Sequence, residues 1–421
     1  MRKLAYAIIL AGGEGTRIRN LFPDIPKPLV PLNSISLIER TIDHMKIYGF
    51  DRFIITVGYM ADKIINYLGD GSRLGVKIEY FREENPLGSG GALPCLANKL
   101  RGTVAVVSGD IVFNIYWHEF LRFHYLHRAD VSLLVHPTLH PWDSDIVVLH
   151  HGWVKNEKWY YDWDSKDRVI GFYKKGEIRP NTVRNIANAG IMLIESDILR
   201  AFPCGEKMNL EHDIVFPLIK THRIYGYRSP EYVKDAGTPE RLRQVEEDIK
   251  KGKVSYWNLA IKKPAVFWDR DGTLNVYKGY ITDPDEIELM PGVGEKIKEF
   301  REKGYLNIVI TNQPHISFGN LTFERLEDIH GRLETILARE GTYLDDIFFC
   351  PTHTDRGFEG EIPELKGDFS CRKPRPGMVY EAADRYNVDI RSSIVIGDTN
   401  SDRLLAEQTQ MKFFEIGDVF K

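Results

Sequence analysis

Pro264-Ala265-Val266-Phe267-Trp268-Asp269-Arg270-Asp271-Gly272-Thr273-Leu274-Asn275 decides how the carboxy-terminal part of this chain folds. Residues 265–268 form a short apolar run that reads as a buried strand, and Gly272 breaks it just after two acids, Asp269 and Asp271. Residues two apart on an extended chain point the same way, so both carboxylates face one ligand. Like charges held side by side are costly without a cation, which makes Mg2+ and a phosphate the natural occupants. Outward from this stretch, apolar runs at 306–310, 347–349 and 393–396 alternate with helical spacing near 294–303, 323–340 and 377–386. That alternation predicts a parallel sheet with the acids at its carboxyl edge.

A second phosphate-handling pattern opens the chain. The apolar run at 4–10 ends in Ala11-Gly12-Gly13-Glu14-Gly15-Thr16-Arg17, a strand followed by a turn that approaches a ligand closely. Helical spacing over 35–48 and strands at 53–57, 76–81 and 103–107 continue the alternation, the last strand running into Ser108-Gly109-Asp110. From 131 to about 186 the pattern loosens into Trp-, Tyr- and Asp-rich segments that read as short antiparallel strands of a substrate-covering insertion. Order returns at Asn188-Ala189-Gly190-Ile191, and residues 240–251 form a charged helix. The lysine-rich stretch that follows places the boundary. The fold class is therefore α/β with two Rossmann-like domains: a mixed, mainly parallel sheet with helices on both faces in residues 1–250, a linker at 251–263, and a parallel sheet in residues 264–421.

With 421 residues, 43% hydrophobic and 28% charged, whole-chain disorder is excluded. A formal net charge of −4 supplies no global basic field, so nucleic acid is not an expected partner and small anionic metabolites are. Cys95, Cys204, Cys350 and Cys371 are too few and scattered for a disulfide framework and point to a reducing, cytoplasmic setting. The early apolar run is stopped by Gly12 and Gly13 well short of a membrane span, so no membrane partner is expected. A homo-oligomer is left open.

Three glycines after a strand expose backbone N–H groups for phosphate oxygens, and Arg17 adds a fixed cationic fork. With Pro26-Lys27-Pro28, Pro86-Leu87-Gly88-Ser89-Gly90-Gly91, Gly109-Asp110 and Asp235-Ala236-Gly237-Thr238-Pro239, residues 1 to about 250 resemble the sugar-nucleotidyltransferase family, which joins a sugar 1-phosphate to a nucleoside triphosphate. The resemblance implies that Gly12, Gly13, Gly15 and Arg17 hold the triphosphate, with Gly88 in the mid-domain loop. It implies that Lys27 neutralises charge at the attacked phosphorus and that Asp110 and Asp235 hold Mg2+. Lys174 or Lys175 would meet the sugar phosphate, and Asn188, Gly190 and Glu211 the sugar. Glu83 and Glu84 precede the Pro86 loop; a carboxylate accepts only, which suits the N1–H and amino donors of guanine and favours GTP, the alternative being two solvated glutamates.

The Asp269-x-Asp271-Gly272-Thr273 signature, with Thr311-Asn312-Gln313, Arg372-Lys373-Pro374 and Gly397-Asp398-x-x-x-Asp402 in that order, resembles the haloacid dehalogenase superfamily of phosphatases. The resemblance makes Asp269 the nucleophile and Asp271 the general acid and base, with Thr311 and Lys373 on the phosphoryl oxygens. Asp398 would complete a Mg2+ site with Asp269 and the backbone carbonyl of Asp271, supported by Asp402. Asp-Arg-Asp-Gly-Thr-x-Asn and Cys-Arg-Lys-Pro-x-Pro-Gly-Met look like the branch containing heptose bisphosphate and histidinol phosphatases, in which Arg372 would bind a second phosphate. That branch carries a zinc loop, and this chain offers Cys350, His353 and Cys371 with Phe369 in the fourth place; structural zinc wants four ligands, so zinc stands open against a loop that has lost it. Gln313-Pro314-His315-Ile316-Ser317-Phe318 also departs from the branch. Together the halves imply consecutive steps: removal of the 7-phosphate from a heptose 1,7-bisphosphate, then guanylyl transfer to the heptose 1-phosphate. A mannose 1-phosphate transferase fused to an unrelated phosphatase is the alternative.

Overall fold

The computed structural model describes residues 6–419, and they form two compact units. Unit 1 contains the chain through Val135, with Asp167–Gly171 and Asn188–Asn258; unit 2 contains His136–Lys166, Phe172–Ala187 and the chain from Leu259 onward.

In unit 1 the strand Tyr6–Ala11 lies between Arg52–Val57 and Thr103–Ser108, parallel to both, with Ile8 opposite Ile54 and Val106. Leu4 and Ala5 of the expected run lie outside the described residues. Ala7, Ile8 and Ile9 are fully buried, as a strand with a neighbour on each side requires. Lys77–Arg82 extends the sheet in parallel, while Ile191 to Glu195 pair antiparallel with Thr103–Ser108, which makes the sheet mixed. The first helix is Leu37–Ile47, because the Ser36 hydroxyl caps it by accepting from the Glu39 N–H. Ile35 instead sits in a two-residue strand opposite Leu32. A short ladder pairs Tyr232–Asp235 with Ile111–Asn114, Asp235 opposite Ile111, and so sets Asp235 beside Asp110.

The strand Val131–Pro137 lies between two neighbours: it is parallel to Ile224–Arg228 and also pairs with Ile186–Glu195, where the Glu195 N–H donates to the Asp130 carbonyl and the Thr138 N–H to the Asn185 carbonyl, an antiparallel register. The antiparallel expectation therefore holds on one side and not on the other. Val131, Leu133, Leu134 and Val135 are fully buried, as the Val and Leu run of an interior strand requires.

Unit 2 is built on five parallel strands in the order Asp346–Cys350, Leu306–Asn312, Ala265–Trp268, Ile394–Gly397 and Lys412–Glu415. Ala265–Trp268 comes first in sequence and lies in the middle, so the chain leaves it to one side and returns to the other. Such a switch point opens a crevice at the carboxyl ends of the strands, where Asp269 emerges. Val266, Trp268, Val309 and Ile396 fill the core, and the Trp268 indole N–H donates to Asn307 Oδ1 at 3.0 Å.

Unit 2 also takes in most of the segment read as a substrate cover. The hairpin Trp153–Asn156 with Lys158–Tyr161 is antiparallel, but its aromatic side chains cover a helix. Trp153, Trp159 and His151 pack on Phe323, with ring centroids 5.5, 4.7 and 5.2 Å away. Phe323 opens the helix Phe323–Arg339. Arg184 reaches Glu334 at 2.8 Å and Glu327 at 3.2 Å, and the Asn185 N–H donates to Glu334 Oε2 at 2.7 Å. Lys166 pairs with Glu381. These residues line neither of the two clefts described below.

The cysteine reading is corrected as well. Cys95 pairs with Cys204 and Cys350 with Cys371 as disulfides, across sequence separations of 109 and 21 residues that conceal the proximity the fold creates. Among the described residues, no helix is long and apolar enough to cross a membrane.

Candidate active sites

In unit 1 a cleft of about 420 Å³ opens at the carboxyl ends of Tyr6–Ala11 and Thr103–Ser108. Its walls carry Gly12, Gly13, Gly15, Arg17, Lys27, Glu83, Gly88 and Asp110, eight of the residues singled out by sequence. Glu83 faces the glycine loop so closely that a Cβ on Gly12 would come within 2.7 Å of Glu83 Oε1 and would push the carboxylate aside. Burial pushes the Glu83 carboxyl up, against the Leu87 N–H and Thr56. The Leu87 N–H donates to Oε2 at 3.0 Å, leaving Oε1 towards the loop. Glu84 is exposed.

Lys27 organises the charges here. Its ammonium is 2.5 Å from Asp110 Oδ2 and 3.8 Å from Asp235 Oδ1, and Arg241 pairs with the other oxygen of Asp235. The Ser108 hydroxyl donates to Asp110 Oδ1 at 2.6 Å. Burial pushes the Asp110 carboxyl up, but Lys27, Ser108 and Arg17 outweigh it and hold the group below the ordinary range. The two aspartate side chains keep 32% and 30% of their surface exposed. Asn188, Gly190 and Glu211 form a neighbouring group: Asn188 Nδ2 donates to Glu211 Oε1 at 3.2 Å, and Gly190 approaches Ser108. Lys174 and Lys175 fall in unit 2, where Lys175 pairs with Asp143 at 2.5 Å and the Lys174 N–H donates to Glu177.

The cleft of unit 2, about 200 Å³, is lined by Asp269, Asp271, Thr311, Lys373 and Asp398 together with Arg270, Gln313, Tyr277 and Tyr280. Lys373 Nζ lies 2.7 Å from both Asp269 Oδ1 and Asp402 Oδ1. All three side chains are buried, with 2%, 10% and 0% of their surface exposed. Burial pushes the Asp269 carboxyl up to about 7, against the pull of Lys373. Asp271 is clamped by three neighbours. The Arg270 guanidinium donates to both its oxygens at 3.0 and 2.8 Å, Asn275 Nδ2 to Oδ1 at 3.2 Å and Gln313 Nε2 to Oδ2 at 2.8 Å. Burial pushes this carboxyl up, yet Arg270, Gln313 and Asn275 bring it below its usual range. Thr311 is buried and its oxygen accepts from Gln313 Nε2 at 2.9 Å.

Asp269, Asp398 and Asp402 place one carboxylate oxygen each within 4.8 Å of one another, the one such group of metal-ligating side chains among the described residues. Three hard oxygen donors suit Mg2+. Asp402 already accepts from Lys373 at Oδ1 and from the Thr399 N–H and hydroxyl at Oδ2, which leaves Asp269 and Asp398 as the side chains free to hold the ion. Gly272, at φ +81°, lies so near Asp398 that any Cβ would overlap its carboxylate. The carboxylate of Asp271 is outside the group, in keeping with an expectation that named only its backbone carbonyl.

The zinc option does not fit. Cys350 and Cys371 are bonded to each other, and the residue within 3.2 Å of Cys350 Sγ is Thr352, not His353. His353 Nδ1 accepts from the Asp355 N–H, and its ring packs edge-on against Phe318. Arg372 Nη1 donates to the Thr352 carbonyl at 2.9 Å and does not line the cleft.

Sequence reasoning assigned no role to Arg270, Asn275, Gln313 or Arg241. The first three stand inside the quoted motifs, where alternation along 269–275 puts Asn275 on the side of Asp271; Arg241 had no signal beyond its place in the first turn of Pro239–Lys250.

A glycine loop beside paired aspartates in one unit, and a buried aspartate at the carboxyl end of the central strand of a parallel sheet in the other, accompany a nucleotidyltransferase domain and a haloacid-dehalogenase-like phosphatase domain. The chain belongs to the nucleotidyl transferase family, which residues 6–252 match, and residues 264–420 match the polynucleotide kinase 3 phosphatase family. It is 32% identical over 250 residues to a mannose-1-phosphate guanylyltransferase of Mycobacterium tuberculosis, covering 58% of this chain and 65% of that protein. It is 37% identical over 145 residues to the D-glycero-beta-D-manno-heptose-1,7-bisphosphate 7-phosphatase of Vibrio cholerae, covering 34% of this chain and 76% of that protein. A solved structure of HddC from Yersinia pseudotuberculosis is similar over 58% of this chain and 100% of that chain, at 23% identity and a TM-score of 0.46.

Proposed function

We propose that the chain is a bifunctional enzyme of nucleotide-activated heptose synthesis, with the transferase in residues 1–250 and the phosphatase in 264–421. The observation that carries the reading is the buried Asp269–Lys373–Asp402 array in a segment 37% identical to a heptose bisphosphate 7-phosphatase. Asp269 attacks the 7-phosphate in line, the ester oxygen leaves, and an aspartyl-phosphate forms. Lys373 and Thr311 meet the phosphoryl oxygens. Mg2+ held by Asp269, Asp398 and the Asp271 carbonyl supplies charge neutralisation. Asp271 must carry a proton for the leaving oxygen, and an arriving phosphate dianion raises its proton affinity against the Arg270 clamp. It then takes a proton from the water that releases phosphate.

In unit 1 the heptose 1-phosphate oxygen attacks the α-phosphorus of GTP and pyrophosphate leaves. Gly12, Gly13, Gly15, Gly88 and Arg17 bind the triphosphate and Lys27 the attacked phosphoryl group. Asp110 and Asp235 would hold Mg2+, which would supply positive charge there; Asn188, Gly190 and Glu211 bind the sugar, and Glu83 reads guanine. Substrates of this class, GTP and a sugar phosphate, support a cytoplasmic setting, against which the two disulfides count. The similarity to a mannose-1-phosphate guanylyltransferase favours a second reading in which the transferred sugar is mannose 1-phosphate.

The test is mass spectrometry of the purified protein with Mg2+, GTP and each anomer of D-glycero-D-manno-heptose 1,7-bisphosphate. GDP-heptose with inorganic phosphate supports the proposal. Phosphate without nucleotide sugar overturns the transferase half, and GDP-mannose formed in preference from mannose 1-phosphate selects the second reading. Neither product from either anomer overturns the heptose assignment.

A further inference from the structure

The segment Gln313 to Phe318 holds a side chain that the chemistry above does not use. His315 is buried, 7% exposed, and both of its ring nitrogens lack a hydrogen-bond partner. An imidazole is a strong polar group, and burying it without a partner is costly. Its place in the fold is specific. Two residues earlier, Gln313 donates to both Asp271 and Thr311, so His315 hangs from the loop that braces the acid–base carboxylate. Asp271 and Arg270 are the charged groups that face it. On the cleft side it is covered by Tyr280, whose ring centroid is 3.4 Å away. Phe318 packs edge-on at 5.9 Å on another side.

Tyr280 belongs to the cleft wall and is itself 61% exposed. A solvent-facing ring is free to swing aside, whereas the imidazole beneath it is held by the loop. Burial lowers the proton affinity of His315, so the ring is neutral, with one donor and one acceptor nitrogen. A hydroxyl, which also donates and accepts, is the natural complement.

We propose that His315 is a specificity-determining residue of the phosphatase cleft, hydrogen-bonding a hydroxyl of a polyhydroxylated leaving group that displaces Tyr280. The inference rests on the phosphomonoesterase reading and deepens it: the site selects phosphate esters of polyols over esters that lack hydroxyls.

The experiment compares kcat/KM for heptose 1,7-bisphosphate, glucose 6-phosphate and p-nitrophenyl phosphate in the wild-type protein, His315→Ala, His315→Asn and Tyr280→Ala. The expected result is a sugar-to-nitrophenyl ratio about tenfold lower in His315→Ala, carried mainly by KM, and largely restored by the amide of His315→Asn. Tyr280→Ala, at an exposed position that leaves the fold intact, is expected to keep or raise the ratio. An unchanged ratio in His315→Ala, or equal losses on all three esters, overturns the proposal while leaving the heptose reading standing. A wild-type preference for glucose 6-phosphate over the heptose ester, with the ratio still falling in the variant, overturns the heptose reading and supports the role of His315. A wild-type protein that prefers p-nitrophenyl phosphate to both sugars overturns the proposal, since a hydroxyl-selecting residue would produce the opposite order.

Discussion

The two clefts hold their acids in opposite ways. In unit 2, Asp269 and Asp402 share one buried lysine, and every member of that array has at most 10% of its side chain exposed. In unit 1, Asp110 and Asp235 also share a lysine, Lys27, with Arg241 as a second cation on Asp235, but each aspartate keeps about a third of its side chain exposed. Buried charges gain from pairing only when geometry is rigid, and losing one partner is severe. Half-exposed charges are screened by water and rearrange cheaply. A covalent mechanism needs a nucleophile fixed before substrate arrives, while a transfer between two substrates lets the triphosphate complete the site.

The comparison breaks first if the clefts are not independent. Asp269→Asn is expected to lower phosphate release by at least about 10³-fold while sparing nucleotidyl transfer, and Asp110→Ala to do the reverse. Loss of both activities from either change, in separate assays on heptose bisphosphate and on heptose 1-phosphate with GTP, would sink the two-site account. Next in size is stability. Lys373→Met leaves two buried carboxylates facing each other and should cost about 3–5 kcal/mol in urea unfolding followed by tryptophan fluorescence. Lys27→Met, which leaves two carboxylates that keep about a third of their surface in water, should cost less than Lys373→Met, although it removes transfer activity. Similar losses for the two would remove the distinction.

Buried charge in unit 2 extends beyond the cleft, and pH exposes it. Burial pushes Glu327 up, but His330, Arg184 and His151 outweigh it and hold the carboxyl far below the ordinary range. A carboxyl depressed on folding stabilises fully above its unfolded value of about 4.3 and loses that contribution as pH falls towards the folded value. Glu327→Gln is therefore expected to cost about 1–3 kcal/mol at pH 7 and progressively less below pH 4. A difference that stays constant down to pH 3 would contradict the pairing. The smallest effect concerns Arg241, which competes with a cation for Asp235. Arg241→Ala should lower the Mg2+ concentration for half-maximal transfer by about two- to threefold, measured by titrating the metal at fixed GTP.

What could be read from the sequence was local. Ala265 to Trp268 forms the strand its apolar run implies because a central strand is buried on both faces, and Gly272 stands where the turn meets Asp398. Asp110 and Asp235 meet because their flanking residues pair, a register that no local pattern encodes. The helix start at Leu37 was missed because Ser36 is a better cap than its apolar neighbour suggests. Trp153 and Trp159 looked like a ligand cover because an aromatic hairpin has the same composition whether it covers a sugar or a helix. The destination, Phe323, lies more than 160 residues along the chain. The cysteine pairs were hidden for the same reason of distance.

That hairpin and Arg184 come from inside the stretch that matches the transferase family, yet they belong to unit 2 and complete the packing of its helix Phe323–Arg339. The border drawn by family resemblance is therefore not the border drawn by packing. A fragment cut at residue 264 would carry the whole phosphatase match and still leave Phe323, Glu327 and Glu334 without the side chains that cover them.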